Sequence, residues 1–122
     1  MKNNNVQQFR ELMEQYDLFE VDVKSNSGWN PLHYACYYGH SDIAYDLIMK
    51  HQANVNIPNV DGWTPLHLSS FKGHQEIVKL LLSLPDTDIN CNVPGIGTPL
   101  HCACKKNNLQ VVSILLFKAD FK

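Results

Sequence analysis

A chain of 122 residues with 44% hydrophobic content can bury one core without disulfides or metal, so a single domain over residues 1–122 is expected. Its 10 basic against 12 acidic side chains leave a net charge of -2, which offers no field for nucleic acid or an anionic membrane. The longest apolar stretch, residues 111–117, is interrupted by Ser113. It falls far short of the roughly 20 residues a membrane-spanning helix needs, so no direct membrane insertion is expected.

The first eight residues, Met-Lys-Asn-Asn-Asn-Val-Gln-Gln, lack the apolar core of a secretory signal, and no Asn-x-Ser/Thr acceptor occurs anywhere. Cys36, Cys91, Cys102 and Cys104 show no framework spacing and read as reduced, small hydrophobic residues. An intracellular, cytoplasmic address follows as an expectation.

In chain order, the first pattern is Asn4-Asn5-Val6-Gln7, which lines up with Asn107-Asn108-Leu109-Gln110 further on. Phe9, Leu12 and Met13 continue an apolar helical face, and Val21-Asp22 resembles the later Val55-Asn56 and Ile89-Asn90. Residues 1–26 are therefore expected to form a partial repeat entered midway.

Three full-strength copies follow. Asn30-Pro31-Leu32-His33, Thr64-Pro65-Leu66-His67 and Thr98-Pro99-Leu100-His101 recur at a displacement of 34 residues. Ala35, Ser69 and Ala103 share a phase, as do Ile43, Ile77 and Val111, and Leu47, Leu81 and Leu115. Asn or Thr in front of Pro is an N-cap followed by a residue with no amide donor to lose, so a short helix is expected to start there. Gly39, Gly73 and, in the third copy, Asn107 stand where a left-handed closing residue ends it after about two turns. A second helix is expected over residues 41–50, 75–83 and 109–118, with apolar spacing such as Ile77, Leu80, Leu81 and Leu84. Between units, Asp61-Gly62 marks a tight, projecting turn. The third such turn is expected to differ, because Gly95-Ile96-Gly97 puts Ile where the turn glycine should be.

These residues resemble the ankyrin repeat, with its Thr-Pro-Leu-His-x-Ala signature and paired antiparallel helices, over about residues 27–118. The resemblance implies an all-α solenoid of stacked helix-turn-helix units with projecting β-hairpin-like turns. Repeats are expected at 27–60, 61–94 and, truncated, at 95–122. One extra residue near His51-Gln52 and Pro85-Asp86 lengthens the family's period, which surface loops tolerate. The third copy stops with no polar-faced unit over Val112, Leu115 and Leu116, so a longer parent protein is expected.

The resemblance also implies that a partner binds the concave face, made from the turns and the outward side of each first helix. On those helices, i, i+3 and i+4 spacing groups Tyr34, Tyr37 and Tyr38, then Leu68, Phe71 and Lys72, then Cys102, Lys105 and Lys106. Trp29 and Trp63 precede the capping residues. The expected partner-binding set is thus Trp29, Tyr34, Tyr37, Tyr38, Trp63, Leu68, Phe71, Lys72, Lys105 and Lys106. Aromatic residues of this kind dominate interface hot spots. They can equally serve as cover, a Trp ring packing on the adjacent turn and a Tyr lying along its helix, and both uses stand open.

No catalytic site, cofactor or metal is expected. His33, His67 and His101 recur at one phase and His40 and His74 at another, which favours structural hydrogen bonding; the resemblance implies that the first set ties helix starts to neighbouring turns. His101-Cys102-x-Cys104 has the residue types of a zinc site, but side chains two apart on a helix diverge. Gly95-Ile96-Gly97 lacks the Lys and strand of a phosphate loop. The function expected is a protein-interaction module. The alternative is a regulatory or targeting domain of a larger protein, such as a lipid-transfer protein or signalling enzyme. For that alternative, residues 27–40 look like the first repeat of oxysterol-binding-protein-related proteins.

Overall fold

The computed structural model describes residues 28–120, which form six helices: α1 (Pro31–Tyr38), α2 (Ser41–Met49), α3 (Pro65–Lys72), α4 (Gln75–Leu82), α5 (Pro99–Lys105) and α6 (Leu109–Asp120). No strand longer than an isolated bridge occurs among the described residues. The partial repeat expected at 1–26 lies outside them.

Each first helix starts from the tetrapeptide. The side chains of Asn30, Thr64 and Thr98, in extended backbone, accept the amides of His33, His67 and His101, and each histidine side chain returns a bond to the cap's own amide. This is a capping box in which His takes the place usually held by Glu or Gln. Gly39 and Gly73 end the helices at φ 77, and Asn107 does so at φ 57, as the sequence implies. At Gly39 the left-handed backbone and the close packing coincide, since a Cβ there would lie 2.7 Å from the His74 ring.

The second helices have no such boxes in the first two repeats: the backbone positions before them, His40 and His74, make no side-chain cap. Their apolar faces hold them in place. Ile43, Ala44, Leu47 and Ile48 in α2 recur as Ile77, Val78, Leu81 and Leu82 in α4, and all are buried. The ends fall at Met49, Leu82 and Asp120, within two residues of the sequence reading, as helix ends commonly do.

The units stack in two rows. First helices pack on one another, α1 on α3 on α5, and second helices form a parallel row, α2 on α4 on α6. Polar clips then cross each junction. His33 Nδ1 accepts the Asn30 amide at 2.9 Å, so Nε2 carries the proton and donates to the Ile57 carbonyl at 2.8 Å. His67 does the same to the Gly97 carbonyl at 2.9 Å. In the opposite direction, His74 reaches back to the Tyr37 carbonyl at 2.8 Å, and the Asn108 amide reaches Ser70 and Phe71 carbonyls at 2.8 and 2.9 Å. Asn56 clips the next loop through Asp86 and Asp88 at 2.7 and 2.8 Å. Each such bond satisfies a carbonyl or amide that a helix end or turn leaves free.

Candidate concave interface

The projecting turns, here called fingers, are set by local polar chemistry. In the second, the Asn59 side-chain oxygen accepts the amides of Asp61 and Trp63, both at 2.9 Å, while the Asn59 amide donates to the Trp63 carbonyl at 2.9 Å. Gly62 takes the positive φ of 93. The corresponding residue of the third finger is Val93, which has no oxygen to offer. The backbone closes there instead, with Val93 and Gly97 exchanging bonds of 3.1 and 2.7 Å in an antiparallel bridge. Positive φ then falls at Gly95 and Gly97, at 83 and 92, and not at Ile96. The third finger therefore differs in shape because its Asx turn is missing.

On the concave face the expected residues fall into three adjoining groups. Trp29 packs at 5.1 Å from Tyr34 and 5.3 Å from Tyr37, and Tyr37 meets Tyr38 edge-on at 5.0 Å. Trp63 stands edge-on to Phe71 at 5.2 Å. A lysine then joins each repeat to the one before: Lys72 Nζ lies 4.6 Å above the Tyr37 ring, and Lys106 Nζ 5.1 Å from the Phe71 ring. Lys72 and Lys106 share a repeat phase, a signal present in the sequence.

The rings divide between cover and exposure. Trp29, Tyr37 and Trp63 are half-buried against the core, while Tyr38 is 61% exposed. Leu68 is a correction: it is 3% exposed and belongs to the core, where no partner can reach it. The cause is the position of α3, which has first helices on both sides and its own second helix behind it. All of residues 65–70 are buried as a result. Cys102, grouped with Lys105 by the same spacing, is buried as well.

Between the second and third repeats lies a cleft of about 460 Å³, lined by Trp63 and Phe71 from one side and by Ile96, Cys102, Lys105 and Lys106 from the other. Ile96 and Cys102 were not part of the expected set; the odd third finger was the sequence signal for the first of them. Among the described residues Lys72, Lys105 and Lys106 make no ion pair, the side-chain pair Lys50–Asp46 lying elsewhere on α2.

Three of the four thiols are held towards their protonated form. Burial pushes the Cys102 thiol up to about 11 and the Cys36 thiol higher still, and burial with the Asp88 charge raises Cys91. Cys102 points into the protein while His101 and Cys104 are exposed, so the three do not converge. Among the described residues no three His, Cys, Asp or Glu side chains group as a metal site would require, and no helix is long and apolar enough to cross a membrane.

The sequence pattern described as "Ankyrin repeats (3 copies)" matches residues 1–94, and that described as "Ankyrin repeat" matches residues 97–121. The chain is also similar to Oxysterol-binding protein-related protein 1. It is 45% identical over 66 residues to the protein from Homo sapiens and 45% to that from Rattus norvegicus; the Mus musculus protein is 44% identical over the same length. Each match covers 48% of this chain and 7% of the relative, so the chain spans a small part of these proteins.

Proposed function

Because the chain belongs to the ankyrin-repeat family, a family of non-catalytic interaction modules, we propose that it binds a partner protein or peptide on its concave face. The contact residues in this reading are Trp29, Tyr34, Tyr37, Tyr38, Trp63, Phe71, Lys72, Lys105 and Lys106. The supporting observation is the chemistry gathered on one face: half-buried rings, Trp29 with Tyr37 and Trp63 with Phe71, beside Lys72, Lys105 and Lys106, which make no ion pair among the described residues. A stack of rigid helices presents that surface ready-formed, so little ordering entropy is lost on binding. The module acts by binding alone, takes no cofactor, binds no nucleic acid and works in the cytosol, where its thiols stay reduced.

Site-specific photocrosslinking tests this. A benzophenone side chain at Tyr38, 61% exposed on α1, should link to the partner, whereas one at Tyr45, 51% exposed on α2, should not. Linkage from Tyr45 alone would move the interface to the outer row of helices.

A second reading has its own support. Similarity to Oxysterol-binding protein-related protein 1 over 66 residues favours a regulatory or targeting segment of a larger lipid-binding protein. An immunoblot of the endogenous product should then show a species far heavier than 13.9 kDa, and a band at that mass alone would count against it.

A further inference from the structure

The lysine-on-ring contacts repeat from one junction to the next, and so does the ring pair beside each lysine, but the third repeat brings no ring pair to face the second. In the second repeat Trp63 stands on Phe71, 5.2 Å between centroids. The same two phases in the third repeat are Gly97 and Lys105, which have no ring. The cleft of about 460 Å³ lies beside them, with the Trp63 and Phe71 rings as one wall, Ile96 and the buried Cys102 opposite, and Lys105 and Lys106 exposed as part of its lining.

We propose that this cleft is a specificity pocket that takes one aromatic side chain from an acidic segment of the partner, whose flanking carboxylates lie on Lys105 and Lys106. The proposal rests on the concave face being the protein-binding surface, and it names the chemistry that surface selects.

Three features carry it. The volume lies within the range of sites that hold a small organic group, and its walls are apolar with charge confined to the lysines. Trp63 and Phe71 already meet edge-on, at an interplanar angle of 78°, so a third ring would extend an edge-to-face series. The lysines are exposed along the lining of the cleft and have no carboxylate partner among the described residues, so carboxylates flanking the anchoring side chain can meet them. An acidic polypeptide with an aromatic residue has that arrangement.

The test uses blocked peptides and the full chain. Asp-Glu-Phe-Glu-Asp is titrated against a Trp29→Phe variant, in which Trp63 emission reports the cleft. Saturable binding is expected, weakened about tenfold or more by Ala in place of the peptide's Phe, a loss in keeping with one buried aromatic ring. It should be absent for Lys-Lys-Phe-Lys-Lys and weaker in high salt.

Two protein variants then locate the site. Lys105→Glu with Lys106→Glu should abolish binding while the chain still unfolds as one cooperative unit. Converting the third finger to the second, by Val93→Asn, Pro94→Val, Gly95→Asp, Ile96→Gly and Gly97→Trp, should put a ring beside Lys105 and also block the peptide. If that variant does not fold, Ile96→Ala, which removes part of a wall, should weaken binding several-fold. Equal binding of the Phe and Ala peptides would overturn the pocket. So would binding lost through Tyr37→Ala yet untouched by the Lys105 and Lys106 changes, an outcome that keeps the concave interface and rejects the cleft. Capture of phosphatidylserine vesicles in preference to the acidic peptide would overturn it as well.

Discussion

The two junctions of the stack share one frame and differ in what they present. Between the first and second repeats the concave face is paved with rings, Trp29 on Tyr34 and Tyr37, Tyr37 under Lys72, and Trp63 on Phe71. Between the second and third, Gly97 and Lys105 replace such a pair and a cleft opens next to Phe71 and Lys106. Beneath both, the same histidine box and cross-repeat clips recur. Stability therefore rests on the shared boxes and clips and selectivity on the side chains presented outside them, so the two can be perturbed apart.

The largest effect should come from attacking what the junctions share. His67 is fully buried, closes its own capping box and donates to the third finger at Gly97. His67→Ala should cost roughly 2–4 kcal/mol, by leaving a cavity and unpaired polar groups, and be seen as a lower melting temperature. The Phe peptide should bind more weakly in proportion to unfolding.

A smaller and more local loss is expected at Gly39. Gly39→Ala forces a Cβ into left-handed backbone and against the His74 ring, which must then leave the Tyr37 carbonyl. A cost of about 1–2 kcal/mol follows from the backbone alone. Amide exchange should rise at the first junction and stay unchanged around Cys102, breaking one side of the comparison only.

Acid should weaken the stack in a definite sense. Burial lowers the pKa of His67 below 6.5 against the opposing pull of the Gly97 and Cys91 carbonyls and the Asp88 charge, and burial with the His74 charge lowers that of His40. The unfolded chain then takes up protons that the folded chain refuses. Melting temperature should be level from about pH 6.5, the ordinary histidine value, up to about pH 8, where the buried thiols begin to oppose it, and fall as pH drops below about 6.5. A rise on acidification would contradict the assignment of His67 as a neutral donor.

Ser70 offers a gain. Its hydroxyl is buried with no hydrogen-bond partner among the described residues, while the same phase in the other repeats holds Cys36 and Cys104. Ser70→Cys should stabilise the domain by about 1 kcal/mol, measured by denaturant unfolding, because an unpaired polar group is replaced by an apolar one of similar size. The surface change Lys105→Glu with Lys106→Glu should move stability least, by no more than about 1 kcal/mol, since it gives up the Lys106 contact with the Phe71 ring and neither lysine makes an ion pair among the described residues.

Much of this architecture was legible in the sequence because local chemistry determines it. The cap, the proline after it and the left-handed closing residue act within one turn of chain, so Thr64-Pro65 and Gly73 announce α3 by themselves. The altered third finger was legible for the same reason, from Ile96 at a glycine phase. Leu68 was not, because its burial depends on helices from two other repeats, and helical spacing placed it with Phe71. The clips from His74 and Asn108 join residues 37 and 38 positions apart, beyond the reach of any local pattern. The cleft was hidden for a different reason: it is made by side chains that are absent at two phases, and that absence becomes a space only when the repeats are stacked.

The most direct test of the central claim reverses charge on one face at a time and measures the partner's dissociation constant. Lys72, Lys105 and Lys106, carried by or just following the first helices, are changed to Glu in one protein; Lys79 on α4 and Lys118 on α6 are changed in another. A concave interface predicts that the first protein still unfolds as one cooperative unit but loses at least tenfold in affinity, about 1.4 kcal/mol, while the second binds normally. Affinity lost only in the second protein would contradict it.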